Sequence, residues 1–278
     1  MSTVPRVELN NGVRIPQVGL GTFQIDADRT QEVVEQALEA GYRHIDTAAG
    51  YQNELGVGAA LRASGIARDE LFVTTKLRNG EQGYDATLAA FENSRRELDV
   101  EVVDLYLIHW PAPGQDLYLE AWRAFETLYD EGVVRAIGLS NFLPEHLSRV
   151  LERAEVPPAV NQIELHPSFQ QPEARQASRE AGLAVEAYAP IGQGADLDFP
   201  AVTEAAHDLG VTAGQVVLRW HLEQGHIVIP KSVTPDRIRS NIDLFSFELS
   251  EDQVRAITAL DSQERMFPDP RTANHSMM

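Results

Sequence analysis

Between residues 18 and 241 one pattern recurs eight times. A short run rich in β-branched and aliphatic residues is followed by an amphipathic run long enough for a helix. Strands are expected at VGLGTF (18–23), HIDTA (44–48), FVTTKL (72–77), VDLYLIH (103–109), VRAIGLS (134–140), VNQIEL (160–165), AVEAYAP (184–190) and HIVIPK (226–231). Helices are expected at 30–40, 53–63, 85–98, 116–131, 144–153, 172–181, 200–223 (as two helices) and 235–241. Pro144 suits a first helical turn, and Gly182 and Gly210 follow helical runs as stops. The strands read as near-continuous apolar stretches, as in a parallel sheet buried on both faces. Eight units without a composition break predict one closed (β/α)8 TIM barrel, a single domain over residues 1–278. A doubly wound sheet is the competitor, but the chain has no GxGxxG fingerprint.

Two pieces lie outside the repeat. Residues 6–16, RVELNNGVRIP, predict an N-terminal β-hairpin with Asn11-Gly12 at the turn, placed to plug the barrel's N-terminal mouth. From about residue 248 a C-terminal helix, SEDQVRAITAL, and a Pro-rich tail follow.

Composition narrows the function classes. There are 23 Lys+Arg against 42 Asp+Glu, a net charge of −19, which disfavours nucleic acid and anionic membranes as partners. With no cysteine, disulfides, thiolate metal sites and a cysteine nucleophile are excluded. No signal peptide and no membrane-spanning run is visible, so a cytoplasmic location is expected. Neither a leftover apolar helix nor an exposed strand edge is evident, so a monomer is expected.

In a barrel of this kind chemistry sits where the strands end. The expected strand ends carry Thr22, Asp46, Lys76, His109, Ser140-Asn141, Gln162 to His166, Tyr188 and Lys231. Singly, each has an ordinary reading. Asp46 could cap a helix, Lys76 could be a solvated lysine, His109 could be structural, and Tyr51 could be a packing tyrosine. Together, at the ends of successive strands, they converge on one mouth. A free tyrosine has a pKa of about 10, and a nearby ammonium would lower it. A carboxylate would hold that lysine charged, and a histidine could hydrogen-bond a substrate oxygen. Such a set suits protonation of an oxygen during carbonyl reduction. Three facing His/Asp/Glu ligands are not evident, so no metal site is expected.

Several longer motifs carry a resemblance. GYRHIDTAAGYQNELGVG (41–58), TTKL (74–77), LIHWP (107–111), AIGLSNF (136–142), NQIELHP (161–167), AYAPIGQG (187–194) and IPKSVTPDRIRSN (229–241) resemble the aldo-keto reductases. They are most similar to the bacterial 2,5-diketo-D-gluconate reductase branch. The resemblance implies NADPH bound across the C-terminal mouth and a small-molecule carbonyl substrate. It implies Tyr51 as general acid, Lys76 and Asp46 as the groups that tune it, and His109 as the residue that orients the carbonyl. It assigns Ser140, Asn141 and Gln162 to the carboxamide and Tyr188 to the nicotinamide ring. Gly21 and Thr22 also fall at the cofactor site, and Gly192, Gln193 and Gly194 fall at the pyrophosphate. Lys231, Ser232, Val233 and Arg237 match the 2′-phosphate site, with Asn241 near the adenine.

The residues themselves also favour NADPH over NADH. KSVTPDRIR (231–239) is locally basic in an acidic chain, at a strand end and helix start suited to a phosphate. Phe23 and Trp110 are expected as substrate walls. Arg78 stands where many relatives have Trp; it either faces the substrate, favouring keto acids, or points to solvent. The tail RMFPDPRTANHSMM matches the family poorly, which leaves the substrate open among aldehydes, ketones, keto acids and diketones. Two rivals remain. One is an NADPH-binding regulatory or structural protein with little turnover. The other is a Schiff-base lyase with Lys76 as nucleophile.

Overall fold

A computed structural model of the protein describes residues 4–274. The two ends of the expected 1–278 domain, including the last four tail residues, lie outside them. The hairpin forms as β1 (Arg6–Glu8) and β2 (Arg14–Pro16), paired antiparallel. Its turn holds Gly12 at φ 82°, a left-handed conformation that glycine adopts without steric cost. Asn10 and Asn11 donate to the carbonyls of Pro158 and Arg135, one just before and one at the start of a barrel strand, and Leu9 and Ile15 pack onto Phe72, Leu105 and Ile227. The hairpin therefore covers the N-terminal end of the barrel.

The barrel strands are β3 (Leu20–Gly21), β4 (His44–Asp46), β5 (Phe72–Leu77), β6 (Val103–Ile108), β7 (Val134–Ser140), β8 (Val160–Glu164), β9 (Ala184–Tyr188) and β10 (Ile227–Val228). They pair in parallel in chain order. Closure comes from a parallel bridge between Val18 and Val228, with Gly19 N donating to Val228 O at 2.8 Å. These closing strands are shorter than the runs at 18–23 and 226–231 suggest. Pro230 has no amide to donate, and beyond Gly21 the chain turns away into Asn53-bonded loop backbone.

The helices are α1 (Ala27–Glu39), α2 (Glu54–Ala63), α3 (Tyr84–Leu98), α4 (Tyr118–Asp130), α5 (Pro144–Leu151), α6 (Pro172–Glu180), α7 (Pro200–Leu209), α8 (Ala213–Glu223), α9 (Pro235–Ile242) and α10 (Glu251–Thr258). The 200–223 run does split in two. Gly210 ends α7 at φ 67°, and the Thr212/Gln215 capping box starts α8. The helices are amphipathic and bury one face on the strands. In β5 and β6 every residue is buried, the polar Thr74, Thr75, Lys76 and Asp104 included.

One contact makes this packing testable. A Cβ on Gly58 in α2 would stand 2.6 Å from the Leu98 carbonyl oxygen at the end of α3 and 2.7 Å from that of Glu97. Backbone on both sides leaves little room to give. Gly58→Ala is expected to destabilise the fold by about 1–3 kcal/mol despite alanine's better helix propensity. Thermal melting checks this, and an unchanged midpoint would show that the helix pair yields easily.

Candidate active site

At the C-terminal ends of the strands lies a cavity of about 800 Å³. One group of lining residues is aromatic: Phe23, Tyr51, His109, Trp110, Tyr188 and Phe267. Their rings touch in sequence. Tyr51 lies 5.1 Å from Phe23 and 5.6 Å from His109, and Phe267 lies 5.2 Å from Tyr188. A second group is Lys231, Ser232, Val233, Arg237 and Asn241, beside the start of α8. Gly21, Asp46, Ser140, Asn141, Gln162, Gln193 and Gly194 line the space as well.

Asp46 ends β4, and Lys76 lies on β5 beside it. Both are buried. The Lys76 ammonium donates to Asp46 Oδ1 at 2.5 Å, to the Thr47 carbonyl at 2.9 Å and to the Tyr51 hydroxyl at 3.4 Å. Asp46 Oδ2 accepts from Gln162 Nε2 at 2.8 Å. Tyr51 sits in the short 3-10 turn Ala49–Tyr51, directly after the small residues that let the loop turn tightly. Burial works against the Lys76 ammonium, but Asp46 and then Tyr51 outweigh it and raise its pKa.

The Tyr51 pKa runs against expectation. Lys76 does pull it down, but burial pushes it up more strongly, and the net direction is upward. The phenol therefore holds its proton at neutral pH. The two signs of influence are separable: desolvation penalises the phenolate, and the ammonium favours it.

Asn141 follows β7 in a left-handed conformation, φ 64°, uncommon for a residue other than glycine. Its amide donates to the His109 carbonyl at 3.0 Å, and its oxygen accepts from the Tyr188 hydroxyl at 2.7 Å. The backbone is thus held so that Ser140, Asn141 and Gln162, from two adjacent strands, present hydrogen-bonding groups along one wall. Gln193 and Gly194 also have positive φ, 51° and 100°, inside the Gly192–Asp198 turn.

Three expected site residues are placed otherwise. Thr22 is buried behind the wall, its hydroxyl donating to the Asp46 carbonyl at 3.1 Å. Gly192 is also buried off the lining, where a Cβ would meet the Asp196 carboxylate at about 3 Å. Arg78 corrects the expectation of a cation facing either substrate or solvent. Its guanidinium is half-buried, does not line the cavity, and donates to the Ala49 carbonyl at 2.8 Å. It braces the turn that carries Tyr51.

Two features of the site were not anticipated, one lining the cavity and one buried behind it. Phe267 arrives from the tail, where no periodicity marks it. Glu186, a buried acid within β9, accepts from the same Gln162 nitrogen at 2.8 Å. Burial first, and Asp46 second, push its pKa up to about 8. A lone acid inside an apolar strand run was the available signal.

Comparison with known proteins places this geometry. A family model described as the aldo/keto reductase family matches residues 17–262. The chain belongs to the aldo-keto reductase family. An aldo-keto reductase of Mycolicibacterium smegmatis is 52% identical over 97% of this chain and 98% of its own. The glyoxal reductase of Bacillus subtilis is 47% identical, covering 95% of each chain. A crystal structure of a Gox0644 variant in complex with NADPH superposes with a TM-score of 0.94 at 45% identity, over 98% of this chain and 99% of that one. This aldo-keto reductase is therefore a (β/α)8 barrel with its polar strand ends gathered at a single mouth.

Proposed function

We propose that the protein is an NADP-dependent oxidoreductase that reduces aldehydes and ketones to alcohols, with Tyr51 as the general acid. The observation that carries this is the chain from Asp46 through Lys76 to the Tyr51 hydroxyl, which opens on the cavity next to His109. A phenol whose pKa is raised keeps a proton to give, and an adjacent ammonium stabilises the phenolate left behind. His109 orients the carbonyl oxygen toward that hydroxyl. Lys76 acts on the phenol and not as a nucleophile, because it is fully buried and its ammonium already has three acceptors.

The cavity's residues fit NADPH. Buried Ser140, Asn141 and Gln162 offer amide and hydroxyl groups for a carboxamide, and Tyr188 offers a ring for stacking. Gln193 and Gly194 offer a tight turn for a pyrophosphate. Lys231, Ser232 and Arg237 at the start of α9 suit a 2′-phosphate, with Asn241 beside them. When bound, the nicotinamide supplies a hydride to the carbonyl carbon. Complexes of related proteins with NADPH and NADP support the cofactor assignment.

The substrate is best read as a small neutral carbonyl. With Arg78 turned onto Ala49, no arginine or lysine among the described residues lines the cavity beside Tyr51, and Lys76, which reaches the Tyr51 hydroxyl, is buried and paired with Asp46. The two cations that do line the cavity, Lys231 and Arg237, lie on the segment assigned to the phosphate. Small aldehydes and α-dicarbonyls therefore suit the site better than keto acids. Relatives named glyoxal reductase and methylglyoxal reductase agree with this choice. NADPH oxidation against a panel of methylglyoxal, simple aldehydes, diketones and keto acids tests it. Absence of turnover with every member would favour a binding protein instead.

Arg237→Ala is expected to weaken NADPH binding about tenfold or more, the loss of a charge-assisted hydrogen bond, while NADH binding stays unchanged. Fluorescence titration with both nucleotides checks this. Equal losses for the two would remove Arg237 from the phosphate site.

A further inference from the structure

A second buried polar cluster lies apart from the proton-transfer set. Glu164, the last residue of β8, and His166 are fully buried, as is Asp196 of the Gly192–Asp198 turn. His166 Nδ1 meets Asp196 Oδ2 at 2.9 Å, and its Nε2 faces Glu164 Oε1 at 3.4 Å. The tail arrives on the other side. Glu164 accepts from the Met266 and Phe267 amides at 2.6 and 3.3 Å, with the Arg265 guanidinium 3.7 Å away. Ser168 makes a parallel link. Its hydroxyl donates to Asp196 at 2.6 Å, and its carbonyl accepts from the Ser262 amide at 2.9 Å.

Burial disfavours the charged form of His166, but Asp196 and then Glu164 outweigh it and push the pKa up to about 9. The charges then alternate: Arg265 positive, Glu164 negative, His166 positive, Asp196 negative. In a buried site each depends on its neighbours, because removing one partner leaves another uncompensated. The two ends of this chain lead to the same cavity. Phe267 follows the anchored Met266, and Gln193, Gly194 and Leu197 flank Asp196; all four line the space.

We propose that Arg265, Glu164, His166 and Asp196 form a positioning unit that couples the 192–198 turn to the tail wall at Phe267, so that NADPH bound against the turn orders the wall that shapes the substrate site. The proposal rests on the cofactor reading above. Coupling of this kind requires an element that both sites bias, and the buried charge chain is that element.

The tail carries its own reporter, because trypsin cuts after Arg265 and Arg271. In the wild-type protein NADPH should slow tail cleavage about fivefold or more, the lower range of such couplings. Asp196→Asn removes the charge on the turn but leaves Glu164 holding the tail amides. Whatever the variant's rate of tail cleavage without NADPH, saturating NADPH should change that rate little, with binding verified by tryptophan quenching. His166→Gln, which interrupts the chain at its centre, should behave likewise if Asp196→Asn folds poorly. Undiminished protection in both variants, or no protection in the wild type despite bound NADPH, overturns the coupling. If NADPH does not bind the wild-type protein at all, the cofactor reading fails first and the coupling with it.

Discussion

Tyr51→Phe is expected to lower kcat by about 10²- to 10⁴-fold, the range attributable to a positioned general acid, while NADPH affinity stays close to wild type. The substitution removes one oxygen and keeps the ring. The contacts with Phe23 and His109 are ring contacts, so the aromatic wall survives. The hydroxyl's bond to Lys76 is long, 3.4 Å, so little stability is lost with it. A drop confined to kcat, with the melting temperature and nucleotide titration unmoved, is therefore the signature of a missing proton. Retention of more than about a tenth of the activity would mean that another group supplies it, with His109, whose ring lies 5.6 Å from that of Tyr51, the first to test.

Much of this site was legible in the sequence, for a geometric reason. A parallel barrel sends the C-terminal end of every strand to one face. Reading Asp46, Lys76, His109, Ser140, Gln162 and Tyr188 as strand ends therefore already placed them at a common mouth. The order of elements was equally readable, because strand and helix differ in apolar period and helix stops such as Gly210 are local signals.

What was not legible depended on direction or on distant partners. Arg78 sits where a substrate wall was expected, but a long flexible side chain can turn either way. The Ala49 carbonyl, 29 residues earlier, decides its direction. Phe267 enters the cavity because Glu164, 103 residues away in the chain, accepts its amide. No spacing rule encodes that contact. The sign of the Tyr51 shift depended on comparing two opposing effects, the burial of the phenol and the nearness of Lys76, and only the folded geometry sets their relative size.

Lys76→Met should produce the largest loss of stability among substitutions in this site. It exchanges a buried ammonium for an apolar chain of similar length and strands Asp46, which is itself buried. Breaking one side of a buried ion pair costs about 3–5 kcal/mol, because the remaining charge has lost its partner and cannot reach water. The Thr47 carbonyl loses its donor as well. Asp46 would then fold as the protonated acid, with a pKa raised above that of the unfolded chain. The native state binds the extra proton, so stability must fall as pH rises above the ordinary carboxylate range. The variant's deficit should therefore be smaller near pH 5 than near pH 8, as read by denaturant unfolding at both. Combining it with Asp46→Asn removes the stranded charge, and the double variant should be more stable than Lys76→Met alone. If the deficit were independent of pH and the double variant no better, the cost would lie in packing. Asp46 and Lys76 would then not be acting as a charged pair.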